Sequence, residues 1–591
     1  MKNKIESILD YHFFSEIDRQ LAFFINRLNK KNNPELVLAV ALLSRAMSEG
    51  DVCLSLELMA NKKFSDLPQV YLQETEPDFT LPPLENWLKK ISTSQLVFNF
   101  QKKTNREIKP LVLDYNNRFY FYRYWSYEQQ LAKNLRHKIN TPQKNFEEVV
   151  LQKSLEKYFN QSESEKEKNQ QQVAFSQAIK NNFCFISGGP GTGKTFTAAK
   201  IILGLLDQAA AKQKPIRIAL TAPTGKAALK LNDSILKIIP QNNLASNICE
   251  TFTIHRLLGL GLNTSKTGIK NLPYETIIVD EASMIDLSLM NKLLNAVSPN
   301  TKLILLGDKD QLASVEAGSV LGDIASFLKE DQPDLFIELK KNYRFRDRPD
   351  IEKFNSAVKK GNYQEVKSLL KNGQKNIRFK KISSPQEFLV ELTKFASNNF
   401  NYLKNIESLP KMFSNSTKLA ILSPFRKGLW GTEFINQKIE SVLADKNIIP
   451  KNKNYYPGQP LLIKKNDYNL NLFNGDLGII YSDQENPEEL KVYFQDKDRN
   501  FKFFKPNLLP ACDKAYALTV HKSQGSEFEK IILVLPDASN PLLTKELFYT
   551  AISRAKEEIM IWGTEEVIDF MIKNRVKRTS GLQEAIGLAQ T

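Results

Sequence analysis

Residues 183–195 read Phe-Cys-Phe-Ile-Ser-Gly-Gly-Pro-Gly-Thr-Gly-Lys-Thr, and this stretch decides the fold. Phe183 to Ser187 is a short apolar run of strand character, and Phe196 to Leu206 continues with helical composition. Between them lies a loop of the form GxxxxGK[ST], in the strand–loop–helix setting that this signature requires. Glycines let successive backbone N–H groups close on phosphate oxygens, and the helix start behind them favours negative charge. Gly188, Gly189, Pro190, Gly191, Thr192, Gly193, Lys194 and Thr195 are therefore the candidate cradle for ATP. Lys194 is expected to bridge the outer phosphates, and the Thr195 hydroxyl to hold Mg²⁺.

Two stretches downstream repeat the pattern of an apolar strand with a polar end. Thr276-Ile-Ile-Val-Asp280-Glu281 ends in two acids. Asp280 suits the metal, and Glu281 can orient or deprotonate an attacking water. Alone, such a pair would be a solvated turn; beside the cradle it completes a nucleotide site. Leu303-Ile-Leu-Leu-Gly307-Asp308-Lys-Asp-Gln311 follows the same plan and places Gln311 to sense the γ-phosphate. Strand, glycine loop and helix alternate from about residue 170 onward, the texture of parallel α/β domains.

The 591 residues exceed one core, and the 42% hydrophobic content is enough for several. Lys and Arg outnumber Asp and Glu by 82 to 66, a net charge of +16 that fits a protein holding a polyanion. Cys53, Cys184, Cys249 and Cys512 lie far apart without a CxxC pair, so no zinc site or disulfide framework is expected. The start MKNKIESILD has no apolar core of a signal peptide, and no apolar run approaches the ~18 residues of a membrane span. A reduced, cytoplasmic protein with no membrane contact is expected.

Before the cradle the chain reads mostly helical. Leu21, Phe24, Ile25 and Leu28 form one stripe, Asn33-Pro34 starts a further helix, and Leu36 to Leu43 reads as its buried body. Leu111 to Asp114 and Phe119 to Trp125 flank a Tyr-Asn-Asn-Arg turn and read as a hairpin. Its aromatics could stack bases; a small sheet covering helices is the plainer reading, and the one adopted here. Gln161 to Gln172 is a candidate linker, and Asn398 to Ser416 a candidate surface insertion. Gly458 to Pro510 is rich in short strands and turns and reads as an inserted small β-barrel.

The ordered motifs are GGPGTGKT (188–195), APTGKAA (222–228), TIHRLLG (253–259), DEASM (280–284), GDKDQLASVEAGSVLGD (307–323), NYRF (342–345), YALTVHKSQGSEF (516–528) and YTAISRAK (549–556). This series resembles superfamily-one helicases and, within them, the RecD group of RecBCD-type exodeoxyribonuclease V. Residues 465–476 and 42–54 add to the resemblance. It implies two RecA-like parallel-sheet motor domains with a helical N-terminal domain and an inserted SH3-like β-barrel. The expected division is 1–140 for a partner-docking domain and 141–345 for the first motor, with a short pin near 259–273. The second motor then spans 346–591, with the barrel at about 455–510. Arg344 and Arg554 resemble arginine fingers reaching the ATP from the second motor. Gln524, Gly525 and Glu527 lie in the segment that couples nucleotide to DNA, and Gln171 matches the adenine-reading glutamine. Thr224, Thr253, His255, Thr519 and His521 match positions along the single strand, with a satisfied core histidine as the plain alternative for His255.

The resemblance further implies a 5′-to-3′ DNA helicase acting in double-strand break repair, recombination and degradation of linear DNA. It implies single strands and duplex ends as substrate, RecB-like and RecC-like partner subunits, and a nuclease site on a partner chain. A helicase working alone on DNA or RNA, a regulatory clamp that does not translocate, and a nucleotide sensor without DNA are the rival readings. The complete set Lys194, Asp280, Glu281, Gln311, Arg344 and Arg554 argues against the clamp.

Overall fold

The computed structural model describes residues 9, 13–67, 79–100, 108–143, 146–159, 170–239, 249–260, 271–406, 408–451, 453–467, 469–482, 486, 489–495 and 500–589. Most of the candidate linker and pin lies outside them. Among the described residues no helix is long and apolar enough to cross a membrane.

The first of the two expected motor domains is built on a six-stranded, all-parallel sheet. Its order is Phe336–Leu339, Phe183–Gly188, Lys302–Gly307, Thr276–Val279, Ile218–Ala222, Cys249–Thr253. The four central strands are near-continuous buried runs because both faces are covered, whereas the edge strands Phe336–Leu339 and Cys249–Thr253 are only partly buried. Alternation along them divides the side chains between two cores. Cys184, Ile186, Ile278, Ile304 and Leu306 pack under the Lys194–Ala211 helix. Phe183, Phe185, Ile277, Val279, Leu303 and Leu305 face the opposite layer, which holds the Val320–Asp331 and Tyr122–Asn140 helices.

The second motor is a five-stranded parallel sheet in the order Ile377–Lys381, Ala555–Gly563, Phe528–Val534, Leu419–Ser423, Ala517–Thr519. The 398–416 stretch is not a surface insertion. It carries the Leu409–Lys418 helix, and Leu403, Leu409, Met412 and Phe413 enter this motor's core. Leu409, Met412 and Phe413 are one helical stripe that the Asn and Ser content masks.

Inserted into the second motor are Pro460–Ile463, Leu477–Ser482, Leu490–Gln495, Phe501–Phe504 and Cys512–Lys514, paired antiparallel throughout. Phe501–Phe504 and Cys512–Lys514 are the two ends of the order and share no ladder among the described residues. The expected SH3-like barrel is thus narrowed to a five-stranded antiparallel sheet.

In the N-terminal region the Glu16–Leu28 and Pro34–Ser48 helices pack together, the second started by Asn33, whose Oδ1 accepts from Leu36 N at 3.1 Å. Leu36 to Leu43 are buried, whereas Phe24 and Leu28 of the first stripe are 47% and 46% exposed. A four-stranded sheet adjoins them. Its Leu111–Leu113 and Arg118–Phe121 strands form the expected hairpin, but the second strand stops at Phe121. Tyr122 to Trp125 instead open the Tyr122–Asn140 helix, because Leu131 and Leu135 farther along seat that segment on the first motor. The C-terminal Leu582–Leu588 helix packs there too, with Leu582 and Ile586 fully buried.

Candidate active site

The loop between the Phe183 strand and the Lys194 helix depends on glycine in two ways. Gly191 and Gly193 adopt φ of +83° and +86°, a region costly for residues with a Cβ. A Cβ on Gly191 would also lie 2.4 Å from Arg344 Cβ, and one on Gly193 would lie 2.5 Å from Gln171 Nε2. The cradle is thus built to be approached closely from 342–344 on one side and from Gln171 on the other. Lys194 Nζ donates to the carbonyls of Gly188 at 2.5 Å and Gly189 at 3.2 Å, which curves it over the loop.

A cavity of about 340 Å³ opens beside this loop. It is lined by Gly189, Pro190, Gly191, Gly193, Lys194 and Thr195 from the cradle, by Asp280 and Glu281, and by Gln311. From across the cleft come Arg344, Gly525, Glu527 and Arg554. Asp280 sits where the Thr276–Val279 strand ends, its N–H bonded to Thr221 O at 2.8 Å. Burial, aided by Glu281, raises its carboxyl to about 6, against the opposing charge of Lys194. Glu281 holds a left-handed backbone at φ 50°, a conformation that costs roughly 1–3 kcal/mol and recurs at functional sites.

The two arginines differ. Arg554 is buried: its Nε donates to Thr550 O at 3.1 Å, and its Nη2 donates to Gln311 Oε1 at 3.0 Å. Gln311 in turn donates to Asp308 Oδ2 at 3.0 Å, which also accepts from Tyr549 at 3.0 Å. Arg344 is half-buried and pairs with Glu527 Oε1 at 2.8 Å. Its Nη1 is buried without a hydrogen-bond partner among the described residues. Burial tends to raise Glu527, but Lys230, Arg344 and Lys556 outweigh it and hold the carboxyl at about 2.

Gln171 is buried against the cradle, with Nε2 3.5 Å from Thr192 O. Gln524 lies outside the cavity lining and donates to Leu312 O at 3.3 Å, joining the second motor to the first. The strand-side residues are not in the cavity. The Thr224 and Thr253 hydroxyls cap the Gly225–Leu236 and Ile254–Leu257 helices, accepting from Ala227 N and Arg256 N at 3.2 Å each. Thr519 Oγ1 accepts from Lys522 N at 3.3 Å, and His521 begins the next short helix. His255 is exposed, so it is not a satisfied core histidine.

Several contributors were not singled out in the sequence. Lys230 lines the cavity and pairs with Glu527. Asn342 Nδ2 donates to Pro190 O at 2.9 Å while its Oδ1 accepts from Arg344 N at 3.0 Å, which pins the arginine to the loop. Asn342 and Tyr549 stand inside the NYRF and YTAISRAK motifs, whose letters do not convey these polar contacts. Tyr343, 42% exposed, stands beside Gly193 next to Gln171.

Two parallel-sheet domains with a glycine-loop cavity closed by Arg344 and Arg554 are the build of a superfamily-one helicase motor. An AAA domain matches at 170–317, a UvrD-like helicase C-terminal domain at 514–561, and the N-terminal domain of RecBCD enzyme subunit RecD at 10–120. RecBCD enzyme subunit RecD of Haemophilus influenzae is 30% identical over 612 residues, covering 92% of each chain. That of Mycolicibacterium smegmatis is 31% identical over 587 residues, covering 97% of this chain and 98% of the relative. The ATP-dependent RecD2 DNA helicase of Deinococcus radiodurans is 29% identical over 426 residues, 71% of this chain and 52% of that one. The chain belongs to the family of RecD subunits and is a DNA helicase with ATPase activity.

Proposed function

We propose that the chain couples ATP hydrolysis to 5′-to-3′ travel along single-stranded DNA as one subunit of a RecBCD-type complex. The observation that carries the nucleotide part is Arg344 Nη1, a buried donor without a partner among the described residues, on the rim of a glycine-loop cavity. An unsatisfied buried guanidinium nitrogen is costly, and a phosphate oxygen is a fitting acceptor. ATP fits this donor set. Lys194 and the cradle amides would hold its phosphates, Gln171 and Tyr343 would flank its base, and Thr195 with Asp280 would hold Mg²⁺. The metal supplies charge neutralisation on the phosphates.

Glu281 stands beside Asp280 to receive the proton of the attacking water, and Gln311 to orient it. Arg344 and Arg554 meet charge that develops in the transition state, a contribution of ~10³–10⁵ in rate, about 4–7 kcal/mol. Because Gln311 of the first motor is bonded to Arg554 of the second, a change at the phosphate is felt across the cleft. Closing and reopening that cleft would advance the strand held near Thr224, Thr253, His255, Thr519 and His521. These groups can position a backbone without reading sequence. Separating one base-pair step costs ~1.4 kcal/mol, a modest load for one nucleotide hydrolysed.

The RecD names of the relatives support assembly with RecB-like and RecC-like subunits; in this reading the N-terminal region docks on the RecC-like subunit, and strand cutting belongs to a partner chain. The test is strand displacement on 5′-tailed and 3′-tailed duplexes, with and without candidate partners. Unwinding confined to 5′ tails and lost in Lys194→Gln is expected. Equal ATPase rates for wild type and Lys194→Gln would leave the regulatory clamp as the answer.

A further inference from the structure

The Thr224 turn is held from the far side of the cleft by Phe473, a residue of the 465–476 stretch. Gly225 opens the Gly225–Leu236 helix of the first motor, and a Cβ there would lie 2.3 Å from Phe473 Cγ and 2.8 Å from Phe473 Cβ. The ring, half-buried, therefore seats in a notch that only glycine leaves open. Phe473 belongs to the inserted antiparallel sheet, at the end of the connection between Pro460–Ile463 and Leu477–Ser482.

That connection is tightly built. Asp467 and Leu472 exchange backbone bonds at 2.7 and 2.9 Å, and Asp467 Oδ1 accepts from Asn469 N and Leu470 N at 3.0 Å each. Phe473 N donates to Asp476 Oδ2 at 2.8 Å, and Asn474 N to Asn466 Oδ1 at 2.8 Å. The sheet is fixed to the second motor through Asp513, which pairs with Lys522 at 2.7 Å beside His521 and with Lys464 at 3.1 Å. One residue on from the notch, Lys226 Nζ donates to Ser526 Oγ at 2.8 Å. The 224–226 turn is thus gripped twice by the second motor's side: by an aromatic ring at Gly225 and by a hydroxyl at Lys226.

We propose that Phe473 is a positioning residue for strand binding: its ring, seated in the Gly225 notch, braces the Thr224 turn and closes the strand channel between the inserted sheet and the first motor. This rests on the reading of the chain as a DNA motor. A ring that served only local packing would affect melting temperature. A brace for the strand site changes the DNA concentration required instead, because the turn must be held before a backbone can settle on it.

The test is ATP hydrolysis by the full chain, titrated with oligothymidylate. Phe473→Ala is expected to raise the half-saturating oligothymidylate concentration about tenfold, within the usual range for coupling between sites. Turnover at saturation should stay within about twofold, and Phe473→Tyr should restore the wild-type midpoint. Gly225→Ala should reproduce the Phe473→Ala defect by displacing the ring. Gly225→Ala combined with Phe473→Ala should be no worse than either single variant, since methyl and ring no longer collide. An unchanged midpoint in Phe473→Ala, a loss confined to maximal turnover, or additive single effects would overturn the brace alone. Absence of any stimulation of the wild type by oligothymidylate would overturn the motor reading and the brace with it.

Discussion

Arg554 Nη2 donates to Gln311 Oε1 at 3.0 Å, a single hydrogen bond that joins the second motor's last motif to the end of a first-motor strand beside the cradle. Both partners are buried, and Asp308 and Tyr549 complete the network behind them. A conformational signal between the motors needs such a contact, because packed and hydrogen-bonded arrangements switch between discrete states instead of deforming gradually.

Arg554→Ala should therefore lower ATP turnover by ~10³ or more while ATP affinity changes little. Single-turnover hydrolysis and equilibrium binding of a fluorescent nucleotide separate the two quantities. Arg554→Lys should not restore activity, since a point charge cannot serve Thr550, Ser553 and Gln311 together. A variant with wild-type turnover would remove this residue from the finger role.

Glu527 sets an acid limit on cleft stability. Its carboxyl is held at about 2 in the folded chain against an ordinary 4.5. A depressed value means the folded state favours the ionised form. The contribution is fully present above pH ~4.5 and fades as pH falls toward 2. It is on the order of 2–3 kcal/mol at neutral pH. Glu527→Gln should melt lower at pH 7, and the deficit against wild type should shrink steadily on acidification in calorimetry.

Glu128 has the opposite sign. It is buried, its Oε1 accepts from Ser580 Oγ at 2.8 Å and Gly581 N at 3.1 Å, and its Oε2 has no hydrogen-bond partner among the described residues. Burial, with Asp323 adding, raises it to about 7. Its contribution is complete below pH ~4.5 and lost as pH rises through 7. Glu128→Gln keeps an acceptor for both donors, so it should be more stable than wild type at pH 8, with the advantage gone near pH 5.

The C-terminal segment is a strap. It leaves the Glu565–Lys573 helix of the second motor and crosses to the N-terminal region, where Val52 N donates to Thr579 O at 2.9 Å. It ends with Leu582 and Ile586 in the first motor's core. Leu582→Ala should cost about 2–5 kcal/mol as a core cavity, read in a denaturant midpoint. A cost under about 1 kcal/mol would show that the strap is not part of that core.

Local patterns made much of this legible. The glycine loop, the strand-end acids and the buried Leu36–Leu43 helix are set by nearest neighbours, because phosphate cradles and apolar periodicity need only short spans of chain. Tyr122 to Trp125 and the 398–416 stretch depart from their local composition because their partners lie far away in sequence, and tertiary burial overrides it. The inserted sheet was visible as strands, but closure into a barrel depends on which strand edges meet, which no strand records by itself.

The sequence alone determined the chemistry at each position: which residues can grip a phosphate, carry a charge across a cleft or turn without a Cβ. Only the tertiary structure decided which of them meet. Gln311 finds Arg554 from 243 positions away, Lys230 finds Glu527 from 297, and Gly225 receives Phe473. These are contacts between helices and connections that belong to different sheets. They follow from how two large apolar cores and their connections pack, and no local propensity encodes that.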